Sequence, residues 1–311
     1  MASYTIANSN NFVRWKKTSG LSLALLQSDG IPAIQDDTQN KIWRQIGNDF
    51  NLGSITNPKV TALSDTKIAL YSVANDKLST YEFSDDATWS KIGNSLTITS
   101  NALATIGTLT STRIAFFDTQ NDDLRAYDWD GTDWSQVGND LVISVVLTPH
   151  LTGLTSSRIA FMDATNDDLR AYDFDGTDWS QVGNDLNISG ITDIYITTLN
   201  SNTIAYADQP NNELRTYIFD GTDWSQLGNG KALASGQHAI AGLTSSRVAS
   251  FDIADDDLKA FDWDGTDWSG KGIDLNISGT SGTVEMTALS ESRIAIVLNQ
   301  SGWKLRTYEF S

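Results

Sequence analysis

Apolar and polar positions alternate along this chain in short runs, and almost no stretch repeats at a helical period. Residues 145–153 (VVLTPHLTG), 157–163 (SRIAFMD), 168–174 (DLRAYDF) and 177–183 (TDWSQVG) each read as one strand, rich in β-branched and aromatic residues. Ser-Ser, Asn-Asp-Asp and Asp-Gly-Thr separate them, residues that set up tight turns.

This group of four strands recurs. YDWDGTDWSQVGND at 127–140 returns as YDFDGTDWSQVGND at 172, YIFDGTDWSQLGNG at 217 and FDWDGTDWSGKGID at 261, with degenerate forms at Tyr81 and Lys41. The aligned tryptophans are Trp43, Trp89, Trp134, Trp179, Trp224 and Trp268, spaced by 46, 45, 45, 45 and 44 residues. A second marker aligns Ala69, Ala115, Ala160, Ala205, Ala249 and Ala295, to which Ala24 adds a seventh. A third, of the DLRAY type, aligns Leu78, Leu124, Leu169, Leu214, Leu258 and Leu305, with IPAIQ from Ile31 in the seventh place.

A four-strand unit of about 45 residues is the signature of a propeller blade. The markers predict an all-β, seven-bladed β-propeller in a single domain spanning 1–311. Its blades fall near 11–48, 58–95, 102–140, 145–185, 191–229, 235–273 and 281–311. Because the last unit ends on a third strand, SYTIANS at 3–9 is expected to supply its outer strand and close the ring. Six blades, with the weak first unit as something else, is the alternative.

Composition narrows the chemistry. Cysteine is absent, which excludes disulfides and thiolate metal sites, and there are only two histidines, His150 and His238. The formal charge of −18 repels phosphate backbones, so nucleic acid is not an expected partner. No run approaches the ~20 apolar residues of a membrane span. The first residues lack a basic segment followed by an apolar one, so the expectation is a soluble protein made without a classical export tag. Release by lysis, in a virion or by specialised secretion stays open.

Asp128, Asp130 and Asp133 resemble the start of a calcium loop, but no bidentate acid follows in register. Asp130-Gly131 between two aromatic runs is also the strongest short-range hairpin signal, and turn chemistry alone accounts for each residue. The fourth-strand tryptophans read as packing between blades or as platforms for a pyranose ring. Arg125, Arg170, Arg215, Lys259 and Arg306 share one register and are expected to pair with nearby aspartates. No phosphate loop or nucleophile elbow is present, and carboxylates are too numerous to single out a glycosidase pair.

The W-S-x-x-G-N segments, repeated with the DLRAY strands, give the chain a resemblance to bacterial seven-bladed propeller lectins and to tectonin-type propellers. That resemblance implies monosaccharide or methylated-sugar pockets at or between blades, and frequent oligomers. The pockets would use Trp89, Trp134, Trp179 and Trp224 with Asp133, Asp178 and Asp223. The reading is a multivalent, non-catalytic carbohydrate-binding protein whose partners are cell-surface or soluble glycans. It needs no cofactor, calcium at Asp128, Asp130 and Asp133 being the one exception considered. A virion decoration, tail or surface-adhesion component is the alternative.

Overall fold

A computed structural model describes strands at 5–7, 12–17, 20–26 and 32–34, and residues 41–99, 103–144, 146, 148–190, 194–209 and 211–311. The chain divides into two compact units, residues 1–41 and 42–311. In the first unit, Thr5–Ala7, Phe12–Lys17, Gly20–Leu26 and Pro32–Ile34 form an antiparallel four-stranded meander.

The second unit is a β-propeller of six blades. Blade 1 holds Pro58–Ala62, Lys67–Ser72, Lys77–Phe83 and Trp89–Thr97. Blade 2 holds Ala104–Thr110, Arg113–Asp118, Asp123–Trp129 and Trp134–Val142. Blade 3 holds Pro149–Gly153, Arg158–Asp163, Asp168–Phe174 and Trp179–Asn187. Blade 4 holds Ile194–Asn200, Thr203–Asp208, Glu213–Phe219 and Trp224–Ala232. Blade 5 holds His238–Thr244, Arg247–Asp252 and Asp257–Trp263, and its outer edge is split between Trp268–Gly270 and Leu275–Asn276. Blade 6 holds Glu285–Ser290, Arg293–Asn299 and Trp303–Phe310, completed by Trp43–Gly53. The inner strands touch in a closed cycle, blade 6 meeting blade 1.

This corrects the expectation of seven blades. KIWRQIGND is not the outer strand of a first blade at 11–48. It pairs antiparallel with the third strand of blade 6, Trp43 opposite Phe310, as Trp89 stands opposite Phe83 in blade 1. Ile42 and Ser311 exchange two backbone hydrogen bonds of 3.1 Å beyond that pair. The strand expected at 3–9 does not close the ring either: its described residues 5–7 pair with 12–14. Six outer-strand tryptophans therefore serve six blades.

Burial explains why the blades associate. Six apolar clusters are present, one at each interface between neighbouring blades. The second strand is buried on both sides, as RIAFFD at 113–118 shows, because each of its faces meets a different blade. The outer strand is mostly exposed beyond its tryptophan, which suits its Ser, Gln and Asn content.

Candidate functional site: the grooves between blades

The outer strands make the repeat legible. Register slips between Leu124 and Ala126 in blade 2, where the partners jump from Leu141 to Val137, so the outer strand bulges around Gly138-Asn139. Gly138 takes φ +72°, and a Cβ there would lie 2.3 Å from the Thr177 carbonyl oxygen of blade 3. That close approach lets Asn139 N–H donate to Thr177 O at 2.7 Å, and Asn139 Nδ2 to Asp178 Oδ1 at 2.8 Å. The same latch joins Asn94 to Asp133, Asn184 to Asp223 and Asn229 to Asp267. Asp133, Asp178 and Asp223 are thus inter-blade acceptors.

The expected sugar platforms lie elsewhere than in a groove. Trp89, Trp134, Trp179 and Trp224 are only 4–5 % exposed and pack against Phe83, Trp129, Phe174 and Phe219, with centroids 4.9–5.4 Å apart. No ring face is left for a ligand. The three carboxylates of the calcium reading also diverge. Asp128 is held bidentately by Arg113 at 2.6 and 2.7 Å. Asp130 accepts the amides of Thr132 and Asp133 at 2.8 Å, which holds its carboxyl below the usual range. Asp133 faces Asn94. Among the described residues, no group of three or more His, Asp or Glu is placed to hold a metal.

A different set repeats at the outer edge of the blades, with exposed glutamines and buried tyrosine rings: Arg125, Tyr127 and Gln136 in blade 2, with Arg170, Tyr172 and Gln181, then Arg215, Tyr217 and Gln226, then Arg306, Tyr308 and Gln45. In three blades an outer-strand aspartate fills the set. Arg125 binds Asp118, Asp123 and Asp140 at 3.0, 2.6 and 3.1 Å, and Gln136 also donates to Asp140. Arg170 is held by Asp163, Asp168 and Asp185 in the same way. Arg306 grips Asp49 with two bonds of 2.7 Å, which lowers the Asp49 pKa.

Blade 4 departs from this pattern. Gly230 stands where Asp140, Asp185 and Asp49 stand. Arg215 binds two carboxylates rather than three, Asp208 and Glu213 at 3.3 and 2.8 Å among the described residues, and Gln226 turns to the Gly228 carbonyl. A groove of about 430 Å³ lies between blades 3 and 4, lined by Leu186, Asn187, Asn211, Arg215, Tyr217 and Gln226, and the Glu213 carboxylate reaches toward Gly230 beside it. Beneath it, Tyr206 is fully buried and its hydroxyl has no hydrogen-bond partner among the described residues; the equivalent residues in blades 2 and 3 are Phe116 and Phe161. A second groove of about 250 Å³ lies between blades 6 and 1, where Ser79, Tyr81 and Lys91 replace the Arg-Tyr-Gln set. The arginine register was visible in the sequence. The Asp-to-Gly change at 230 becomes meaningful only once the outer strand is seen beside Arg215.

No family model matches the chain, and no curated protein matches it. Solved structures do match in fold. The Aleuria aurantia lectin, described as a six-bladed β-propeller with a novel fucose recognition mode, superposes with TM-score 0.57 at 14 % identity, covering 82 % of this chain and 92 % of that one. A streptogramin B lyase matches with TM-score 0.58 at 11 % identity, covering 89 % of this chain and 100 % of that one. SapL1 lectin, solved with α-methyl fucoside, matches with TM-score 0.52 at 15 % identity, covering 80 % and 94 %. At these identities the likeness shows the propeller fold alone.

Proposed function

We propose that this propeller is a non-catalytic carbohydrate-binding protein whose main site is the groove between blades 3 and 4. The observation that carries the reading is the replacement of the groove-filling aspartate by Gly230. It leaves a guanidinium, a phenol and two kinds of amide along one open cleft. Such groups suit a sugar: Arg215, Asn211 and Gln226 can bond adjacent hydroxyls, while half-buried Leu186 offers apolar contact. The lectins of similar fold, one described with fucose recognition and one with α-methyl fucoside, support the ligand class.

The groove between blades 6 and 1 is the second site of the same class, so two unlike sites on one chain supply avidity for surface glycans. Non-catalytic binding is favoured because Asp208 and Glu213, the carboxylates beside the main groove, are both tied to Arg215. A glycan array followed by titration of Arg215→Ala tests the proposal. Saturable binding to a defined glycan, lost in the variant with its melting temperature kept, supports it; turnover of a glycoside, or binding indifferent to Arg215, sinks it.

A further inference from the structure

The blades are near-copies except at one register of the inner strands. Opposite Tyr71, Phe117, Met162, Ala207, Phe251 and Val297 stand Lys59, Thr105, His150, Tyr195, Ala239 and Glu285. The next position along each strand is uniformly apolar: Val60, Ile106, Leu151, Ile196, Ile240 and Met286. Repetition preserves what packing needs everywhere, so six different side chains at one level mark a place where packing does not dictate the residue.

A cavity lined by residues of all six blades must lie on the axis, and such a cavity has this level as its wall. Above it, a wider chamber of about 130 Å³ is lined by Asn57, Lys59, Leu103, His150, Ile194 and Tyr195 among others. The charges there cancel internally. Lys59 Nζ meets Glu285 at 2.5 Å, both side chains largely covered. The His150 ring lies against Tyr195 with centroids 5.6 Å apart. Burial, reinforced by Lys59, lowers the His150 pKa to about 3, so the imidazole is neutral at pH 7. The chamber thus offers no unbalanced charge and a mixed wall, in which Leu103, Ala104, Pro149 and Ile194 supply apolar surface beside neutral polar side chains.

We propose that the axial chamber binds one small uncharged aromatic molecule of the phenol class, its ring between Tyr195 and the aliphatic wall and its hydroxyl on the His150–Lys59 side. The size is close: a closed apolar cavity of ~150 Å³ accepts benzene, and this chamber of about 130 Å³ is open to solvent on the side of exposed Leu103, which leaves room beyond it. An anion would have to compete with Glu285 for Lys59. A cation would meet Lys59 directly.

Phenol, benzoate and benzylammonium, equal in ring size and unlike in charge, are the probes, read by imidazole nitrogen–proton NMR on the whole chain. The protein has only two histidines, and the His238 ring lines neither cavity and is held by the Ala234 carbonyl at 2.9 Å, which makes it an internal reference. Phenol is expected to shift the His150 ring signals saturably with one site per chain, and to leave His238 in place. Benzoate and benzylammonium should bind at least roughly tenfold more weakly, a gap of ~1.4 kcal/mol. Thr283→Trp, which fills the chamber mouth, should abolish the shift, whereas Arg215→Ala should not. Tighter binding of either charged probe, or no saturable His150 shift with millimolar phenol, overturns the proposal. The loss of glycan binding in Arg215→Ala is a separate readout, so either proposal can fail alone.

Discussion

Trp134 of blade 2 donates its indole N–H to Thr80 Oγ1 of blade 1 at 2.9 Å. Trp268 and Trp89 do the same to Thr216 and Thr307, each on the third strand of the preceding blade. At the other three interfaces that position is Ala126, Ala171 or Ala260, and the indole nitrogens of Trp179, Trp224 and Trp43 are buried with no partner among the described residues. A buried donor left unpaired costs about 1–3 kcal/mol, while a made bond returns about 1 kcal/mol.

Thr80→Ala should therefore destabilise the ring by about 1–3 kcal/mol. Ala126→Thr and Ala171→Thr, or Ser where the methyl crowds the core, should stabilise it by about 1 kcal/mol each. Urea denaturation monitored by tryptophan fluorescence decides the matter. Equal effects of Thr80→Ala and of a surface Thr→Ala control would show that the indole bonds contribute nothing.

The bulge glycines and the hairpin glycines have the same sign of φ but unlike surroundings. A Cβ on Gly138 collides with the Thr177 carbonyl oxygen of the next blade, whereas a Cβ on Gly131, at φ +104°, meets nothing within 4 Å. Gly131→Ala pays only for its backbone conformation, about 1–2 kcal/mol. Gly138→Ala adds the loss of the Asn139–Thr177 and Asn139–Asp178 bonds and should cost at least about 1 kcal/mol more. Comparable melting temperatures for the two variants would show that the latch is not what holds the blades.

Gly230→Asp restores the residue that fills the grooves of blades 2, 3 and 6. Gly230 does not take a positive φ, and a Cβ there meets chiefly the flexible end of Glu213. The variant should fold normally and bind glycan at least roughly tenfold less tightly, a loss of ~1.4 kcal/mol. The reciprocal Asp140→Gly should open a new groove before blade 2. Isothermal titration with the best array ligand reads both, and undiminished affinity in Gly230→Asp would remove the groove from consideration.

Acid sensitivity should have a histidine component. His150 titrates near 6.5 when unfolded and near 3 when folded, so between those values the unfolded chain holds a proton that the folded chain lacks. Stability from this group is complete above pH 6.5 and falls as pH drops toward 3, by at most about 1.4 kcal/mol per unit, less where the ring meets cavity water. Glu285, raised by burial against the pull of Lys59, slopes the other way: its folded form takes up a proton first, which favours folding as pH falls through the window above the ordinary glutamate value. His150→Asn should flatten the decline between pH 6.5 and 5 in pH-dependent denaturation. An unchanged slope would mean that the imidazole is charged in the folded protein.

Much of the fold is legible in local chemistry, because strands, hairpins and the 45-residue spacing each depend on neighbouring residues. Blade number is not local. The Ala24 and Ile31 markers imitate a blade, yet the strands that carry them, Gly20–Leu26 and Pro32–Ile34, pair with one another in a meander of their own. KIWRQIGND sits next to them in sequence, and any third strand with the right edge could accept it; Trp303–Phe310 does. The tryptophan count carried the correct number since each blade interface needs one indole. The grooves were half visible, through the arginine register, and the chamber was hidden: His150 and Glu285 stand 135 positions apart, three repeats of 45, but that register carries a different residue in every blade, so no repeated letter marks it.

The clasp of blade 6 has a kinetic meaning. Asp49 and Arg306 are 257 positions apart, so the strand that is synthesised first in the ring is the last to find its partner. Closing so long a loop costs only about 1.5 kcal/mol more than closing one blade-length loop, by the logarithmic growth of loop entropy. The delay is the heavier burden: until residue 310 arrives, Trp43–Gly53 waits as an unpaired edge beside a nearly finished ring. Moving that segment behind Ser311 by circular permutation would let every blade close on strands adjacent in the chain.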